Sequence, residues 1–144
     1  MSARIRALLH FKWLVVRVDP NNPLANQTRA VVMMITDDLP EALKSVERAL
    51  ALDKSNNAEI YLTKTQVLSG LGRPADAIAS ARFGITRIPN PLNQVQIRIE
   101  LVRALVANGQ LSDALTEVDA LLGIQPNQPA AQQLKNQIQA ALAR

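Results

Sequence analysis

Apolar residues return along this chain at helical spacing, and the arrangement itself recurs. Ala42, Val46, Ala49 and Leu50 form one stripe, Ala77, Ala81 and Ile85 a second, and Ala114, Val118, Leu121 and Leu122 a third. Each stripe lines one side of a helix and leaves polar residues on the other, as expected of a helix with one buried face. The small residue that opens each stripe steps by 35 and then 37 residues, from Ala42 to Ala77 to Ala114. Turn signals keep the same phase at Val18-Asp19-Pro20-Asn21-Asn22, Leu52-Asp53-Lys54-Ser55-Asn56, Ile88-Pro89-Asn90-Pro91 and Ile124-Gln125-Pro126-Asn127. From Pro20 to Lys54 to Pro89 to Pro126 the steps are 34, 35 and 37. Two markers in one register predict a helical repeat, and periods of this length belong to solenoids.

Each period divides into two helices. Asp38-Leu39-Pro40-Glu41 joins an N-cap Asp to a Glu three residues on, with Pro40 in the first turn where its missing N–H costs nothing. Gly72-Arg73-Pro74-Ala75-Asp76 ends one helix on a glycine and restarts the next with proline, and Asn108-Gly109-Gln110-Leu111-Ser112-Asp113 does the same without proline. First helices are predicted over 24–35, 58–71 and 92–107. Within them Arg29, Lys64 and Arg98 fall where apolar contacts are expected, which long stems meet by lying along apolar surface with the charge in water. The reading is an all-α solenoid of roughly seven helices forming a single domain. It comprises a partial repeat over 1–22, repeats over 23–57, 58–91 and 92–128, and a capping helix over 129–144 with Ala130, Leu134, Ile138 and Leu142 on its apolar face. At the other end, register favours a helix for 5–18, while the β-branched run Val15-Val16-Arg17-Val18 is also compatible with a strand.

Composition agrees and removes most chemistry. With 48% hydrophobic but only 3% aromatic residues, the core must be built from Ala, Leu, Ile and Val, the mixture that close helix packing uses. The formal charge of +4 raises nucleic acid as a partner, but residues 1–57 and 58–144 each hold eight Lys and Arg against six Asp and Glu, so no nucleic-acid partner is expected. Arg4 and Arg6 before an apolar run resemble a secretory signal. Lys12 and His10 interrupt the run and no small-residue cleavage site follows, so the segment reads as part of the fold, and no membrane span is expected. The compartment stays open. With no Cys and His10 as the only histidine, disulfides, thiolate sites, multi-histidine metal sites and histidine triads are excluded. Asp37-Asp38 reads as a turn cap, Met33-Met34 as core filling, and the five glycines form no phosphate-binding fingerprint. The chain is expected to be non-enzymatic and to need no cofactor.

The residues Ala58-Glu59-Ile60-Tyr61, Leu68, Gly72, Ala77, Gly84, Ile85 and Pro89 stand in an order that resembles the tetratricopeptide repeat, over about 24–126. The family's Leu-Gly pair is replaced by Lys64-Thr65. The resemblance implies a right-handed superhelix of antiparallel helix pairs whose first helices line a concave groove that receives a peptide or helix of a protein partner. Carried over position by position, the groove set is Gln27, Val31, Met34, Leu62, Gln66, Ser69, Ile99, Arg103 and Val106. Some family members clamp the C-terminal carboxylate of chaperones with Lys, Asn and Arg. Here Gln27, Val31, Thr63, Gln96 and Glu100 stand at the matching places, with Arg103 the only basic residue nearby, so no such clamp is implied. The alternative function is a structural assembly subunit, of a cell-envelope or secretion complex, acting through its solenoid ends. Ile5, Leu8, Phe11, Trp13 and Val15 form an apolar N-terminal end without a polar cap, from which a homodimer joined through residues 1–22 is expected.

Overall fold

The structure is a computed structural model that describes residues 2–144, apart from the side chains at 12, 15, 16 and 18. Eight α-helices follow one another among the described residues: α1 (Ala3–Val18), α2 (Pro23–Ile35), α3 (Leu39–Leu52), α4 (Ala58–Gly70), α5 (Pro74–Arg87), α6 (Val95–Ala107), α7 (Leu111–Ile124) and α8 (Pro129–Leu142). A short 3-10 turn, Pro91–Gln94, leads into α6. The N-terminal segment is thus a helix, one more than the sequence count of about seven. Helices α2 and α3, α4 and α5, and α6 and α7 form the tightest pairs. Contacts also join α2 to α4, α4 to α6 and α6 to α8, so alternate helices stack along the molecule.

The repeat is visible atom by atom in the turn inside each pair. Asp37, Gly72 and Gly109 take φ of 60°, 68° and 77°. The residue after each donates its N–H back across the turn, Asp38 to Met33 O at 2.8 Å, Arg73 to Leu68 O at 3.0 Å and Gln110 to Leu105 O at 2.9 Å. This is the left-handed helix stop that satisfies otherwise orphaned carbonyls. Glycine adopts that φ freely, and Asp tolerates it better than most residues. The acidic pair therefore divides its work, with Asp37 making the left-handed turn and Asp38 Oδ1 accepting from Glu41 N at 3.4 Å as the N-cap of α3. Asn22 caps α2, Asn57 caps α4 and Gln128 caps α8 in the same manner.

Between repeats the turn after α3 is held by Asp53. Its carboxylate accepts from Ser55 N at 3.1 Å, Ser55 Oγ at 2.6 Å and Asn57 N at 2.9 Å. Partial desolvation pushes this carboxyl up, but the hydrogen bonds from the Ser55 side chain and the Asn57, Ser55 and Asn56 backbone together hold it below the ordinary carboxylate value. A depressed folded pKa stabilises the native state above the unfolded value and loses that contribution as pH falls through the folded one. Asp53→Ala is expected to cost about 1 kcal/mol near neutral pH, kept small by solvent exposure of the turn. In urea unfolding, its gap from wild type should close in acid, and a gap that stays constant with pH would show that the carboxylate charge is not its source.

Packing is uneven along the solenoid. One continuous core runs from Tyr61 in α4 through Ile97, Leu101 and Leu105 in α6 to Ala131 and Ile138 in α8. Two smaller clusters join the α2–α3 pair to α4, one of Ala30, Val46, Ala49 and Ile60, the other of Met33, Ala42 and Val67. Ala42, Ala77 and Ala114 are all fully buried, as the small-residue register predicts. On α8 the buried residues are Ala131 and Ile138, whereas Leu142, expected on the apolar face, is 45% exposed in the last turn. At Gly84 helix α5 runs so close to its neighbours that a β-carbon would lie 2.8 Å from both Tyr61 Cβ and Ile97 Cδ1.

The three basic residues of the first helices do not simply point to water. Arg29 pairs with Glu41 at 3.3 Å, Lys64 with Glu47 at 3.5 Å, and Arg98 with Glu117, each acid lying on a second helix. Gln94 Oε1 also accepts from Arg98 Nε at 3.1 Å. Long stems crossing the seam thus bring their charge to an acid on α3 or α7, so the expected solvation is in good part ionic pairing. Thr65, in the place of the family's glycine, is fully buried and donates its hydroxyl to Tyr61 O at 2.9 Å.

Candidate functional site

Helix α4 presents Leu62, Gln66 and Ser69 at spacings of four and three, so successive turns place them on one side. Beside it runs α6, and two clefts open along the seam. One, of about 230 Å³, is lined by Glu59, Leu62, Leu92, Asn93 and Gln96 among others. The second, of about 450 Å³, is lined by Ser69, Gly72, Pro74, Glu100, Arg103 and Ala107 among others. The sequence-predicted residues Leu62, Ser69 and Arg103 therefore meet on this seam, with half-buried Gln66 between Leu62 and Ser69 on α4.

The other residues are placed differently. Gln27 donates from Nε2 to Thr63 Oγ1 at 3.3 Å, and Thr63 Oγ1 donates to Glu59 O at 2.8 Å, so Gln27 bridges α2 and α4. Val31 and Met34 are half-buried, and Met34 packs on the Met33, Ala42 and Val67 cluster. Val106 is 37% exposed. Ile99 is only 3% exposed and belongs to the main core with Ala131 and Ile138 of α8, so its side chain is closed to a ligand. On α6 the seam is lined by Gln96, Glu100 and Arg103 instead. The resemblance implied Ile99 as a groove residue, but on α6 that position faces the core.

Charge on the seam is largely self-compensated. Arg103 Nη1 lies 2.7 Å from Glu100 Oε1, the arginine side chain 52% and the glutamate 14% exposed. Thr63, at a clamp position, is buried, and the remaining clamp places hold Gln27, Val31, Gln96 and Glu100. What the seam offers besides the Arg103–Glu100 pair is amide groups, a hydroxyl, apolar side chains and the Glu59 carboxylate. Glu59, Leu92 and Asn93 were not among the expected groove residues. The Asn90-Pro91 signal marked a turn there, and its 3-10 form, with Asn90 Oδ1 accepting from Leu92 N, brings Leu92 and Asn93 to the seam. At the N-terminal end, Ile5, Phe11 and Trp13 are exposed and Leu8 is half-buried, while the Val15 side chain lies outside the described residues. Among the described residues no group of three or more His, Cys, Asp or Glu could hold a metal ion.

Comparison with known proteins places the architecture. A family model described as tetratricopeptide repeat matches residues 89–138. That stretch follows the one singled out from sequence, and α6 carries buried Leu101 where α4 carries Lys64. No curated protein sequence matches the chain. Among solved structures, the first TPR domain of Spaghetti (RPAP3) bound to the HSP90 peptide SRMEEVD is 16% identical with a TM-score of 0.77, covering 85% of this chain and 97% of that one. YrrB, a TPR protein with an unusual peptide-binding site, is 18% identical with a TM-score of 0.74, covering 98% and 72%. MamA is 20% identical with a TM-score of 0.76, covering 96% and 77%. With repeated helix pairs, a left-handed stop at the same place in each and a tetratricopeptide-repeat model matching residues 89–138, the chain has the all-α solenoid fold of tetratricopeptide-repeat structures.

Proposed function

We propose that the chain is a non-catalytic protein-interaction scaffold that receives a partner peptide along the α4–α6 seam. The observation that carries this reading is the pair of clefts opening along one seam, with Leu62 lining one, Ser69 lining the other and Gln66 on the turn of α4 between them. Three repeats over 23–57, 58–91 and 92–128, flanked by α1 and α8, make the frame. Peptide binding by the Spaghetti domain and by YrrB supports the reading by analogy of fold. The ligand differs in kind from an acidic chaperone tail, because Arg103 is neutralised by Glu100 and no Lys or Asn cluster joins it. A segment rich in apolar and uncharged polar side chains suits Leu62, Gln66, Ser69 and Gln96.

Peptides selected from a displayed library on the wild-type chain should lose about tenfold or more in affinity for the Gln66→Ala/Arg103→Ala variant, whose melting temperature should stay unchanged. Unchanged affinity of every selected peptide would move the site off the seam. The peptide SRMEEVD is expected not to bind, and micromolar binding would overturn the assignment of an uncharged ligand.

A second reading, assembly through the N-terminal end, draws on the exposure of Phe11 at 50% and Trp13 at 64%. Pairing two copies there, as the homodimer expectation has it, would set basic helices against each other.

A further inference from the structure

The net charge of this chain sits at one end. It carries 16 Lys and Arg against 12 Asp and Glu, a formal charge of +4. Residues 1–18 contain Arg4, Arg6, Lys12 and Arg17 and no acid, which leaves 12 of each sign, and no net charge, in residues 19–144. Dividing the sequence at residue 57 conceals this, because the six acids between Asp19 and Asp53 dilute the basic helix.

The same helix carries apolar side chains in the open. Ala7, Phe11 and Leu14, spaced by four and three, share one side of α1, and Arg6, His10, Trp13 and Arg17 share the adjoining side. All seven are exposed, with Phe11 at 50%, Leu14 at 53% and Trp13 at 64%. The Arg17 guanidinium lies 5.2 Å from the Trp13 ring centroid. A cleft of about 410 Å³, lined by Phe11, Leu14 and Leu24 among others, continues the apolar surface onto α2. Leu24 is itself 61% exposed.

We propose that α1 docks this solenoid onto an anionic phospholipid surface. Such a surface satisfies both features at once. Lipid phosphates meet Arg6 and Arg17, while Trp13, Phe11 and Leu14 enter the boundary between headgroups and acyl chains, where amphipathic aromatic rings are favoured. A second copy would meet the apolar residues but would oppose +4 with +4. Nucleic acid would meet the charge and leave the apolar strip in water. No helix among the described residues is long and apolar enough to cross a membrane, so α1 lies on the surface rather than through it.

Trp13 is the only tryptophan and reports directly. Its emission should shift to the blue when the full chain meets vesicles of phosphatidylcholine with about one quarter phosphatidylglycerol, and the shift should shrink in high salt. Vesicles of phosphatidylcholine alone should leave it in place. In co-sedimentation, Arg6→Gln/Arg17→Gln should weaken binding to the anionic vesicles roughly thirty-fold, and Leu14→Asn should weaken it with both charges retained. Absence of a shift with the anionic vesicles, or equal binding to neutral ones, overturns the proposal. So does a lipid-free dimer by light scattering whose Trp13 emission is already blue-shifted, which would assign the surface to a second copy.

Discussion

Gly84→Leu is expected to destabilise the fold by about 3 kcal/mol or more. The first added carbon would already lie 2.8 Å from Tyr61 Cβ, an atom fixed to the α4 backbone, and 2.8 Å from Ile97 Cδ1. Real β-carbon contacts essentially never come under 3.0 Å, so α5 must withdraw from α4 and α6 to accept any side chain. Three further carbons enlarge the displacement, and overpacking of this kind typically costs about 1–3 kcal/mol, occasionally more. The helix-propensity gain of leucine over glycine returns less than about 1 kcal/mol. Gly123 provides the contrast within one experiment, since nothing lies within 4 Å of a β-carbon there. Gly123→Ala on α7 should stabilise by about 0.5–1 kcal/mol. Guanidinium unfolding of both variants tests the pair, and a neutral Gly84→Leu would refute the close approach of α5.

Leu105→Ala should cost about 2–5 kcal/mol, because Leu105 is 1% exposed and belongs to the continuous core. Helix α6 contacts α4, α5, α7 and α8, so several helices would have to move together to fill the void. At about 2–4 °C for each kcal/mol, the melting temperature should fall by roughly 5–20 °C. A loss under about 1 kcal/mol would mean that the cluster collapses around the cavity.

The helix pairs were legible because their signals are local. Ala42, Ala77 and Ala114 keep one phase, and the glycines and Asp37-Asp38 mark the stops, so spacing alone locates the turns. The N-terminal helix was less plain, since its apolar residues surround it and a β-branched run closes it. Leu62, Ser69 and Arg103 came with the family resemblance and line the clefts, whereas Ile99, carried over in the same way, is buried in the core, because which face of a helix is covered depends on the helices packed against it. The partners of Arg29, Lys64 and Arg98 escaped for the same reason. Each acid lies on another helix, and only the packing of helix pairs sets Glu41, Glu47 and Glu117 opposite them.

The unequal cores give the molecule a graded stiffness. Buried residues from Tyr61 to Ile138 form one body, whereas α2 and α3 rest on two small clusters and α1 packs chiefly on α2. In a solenoid, where each repeat is held by its neighbours, local opening is cheapest where the fewest apolar contacts must be broken. The backbone should therefore loosen progressively toward the N-terminal helix while the α4–α6 seam keeps its shape. Forces or contacts applied to that end would be absorbed by α1 and its junction with α2 before they reached the clefts.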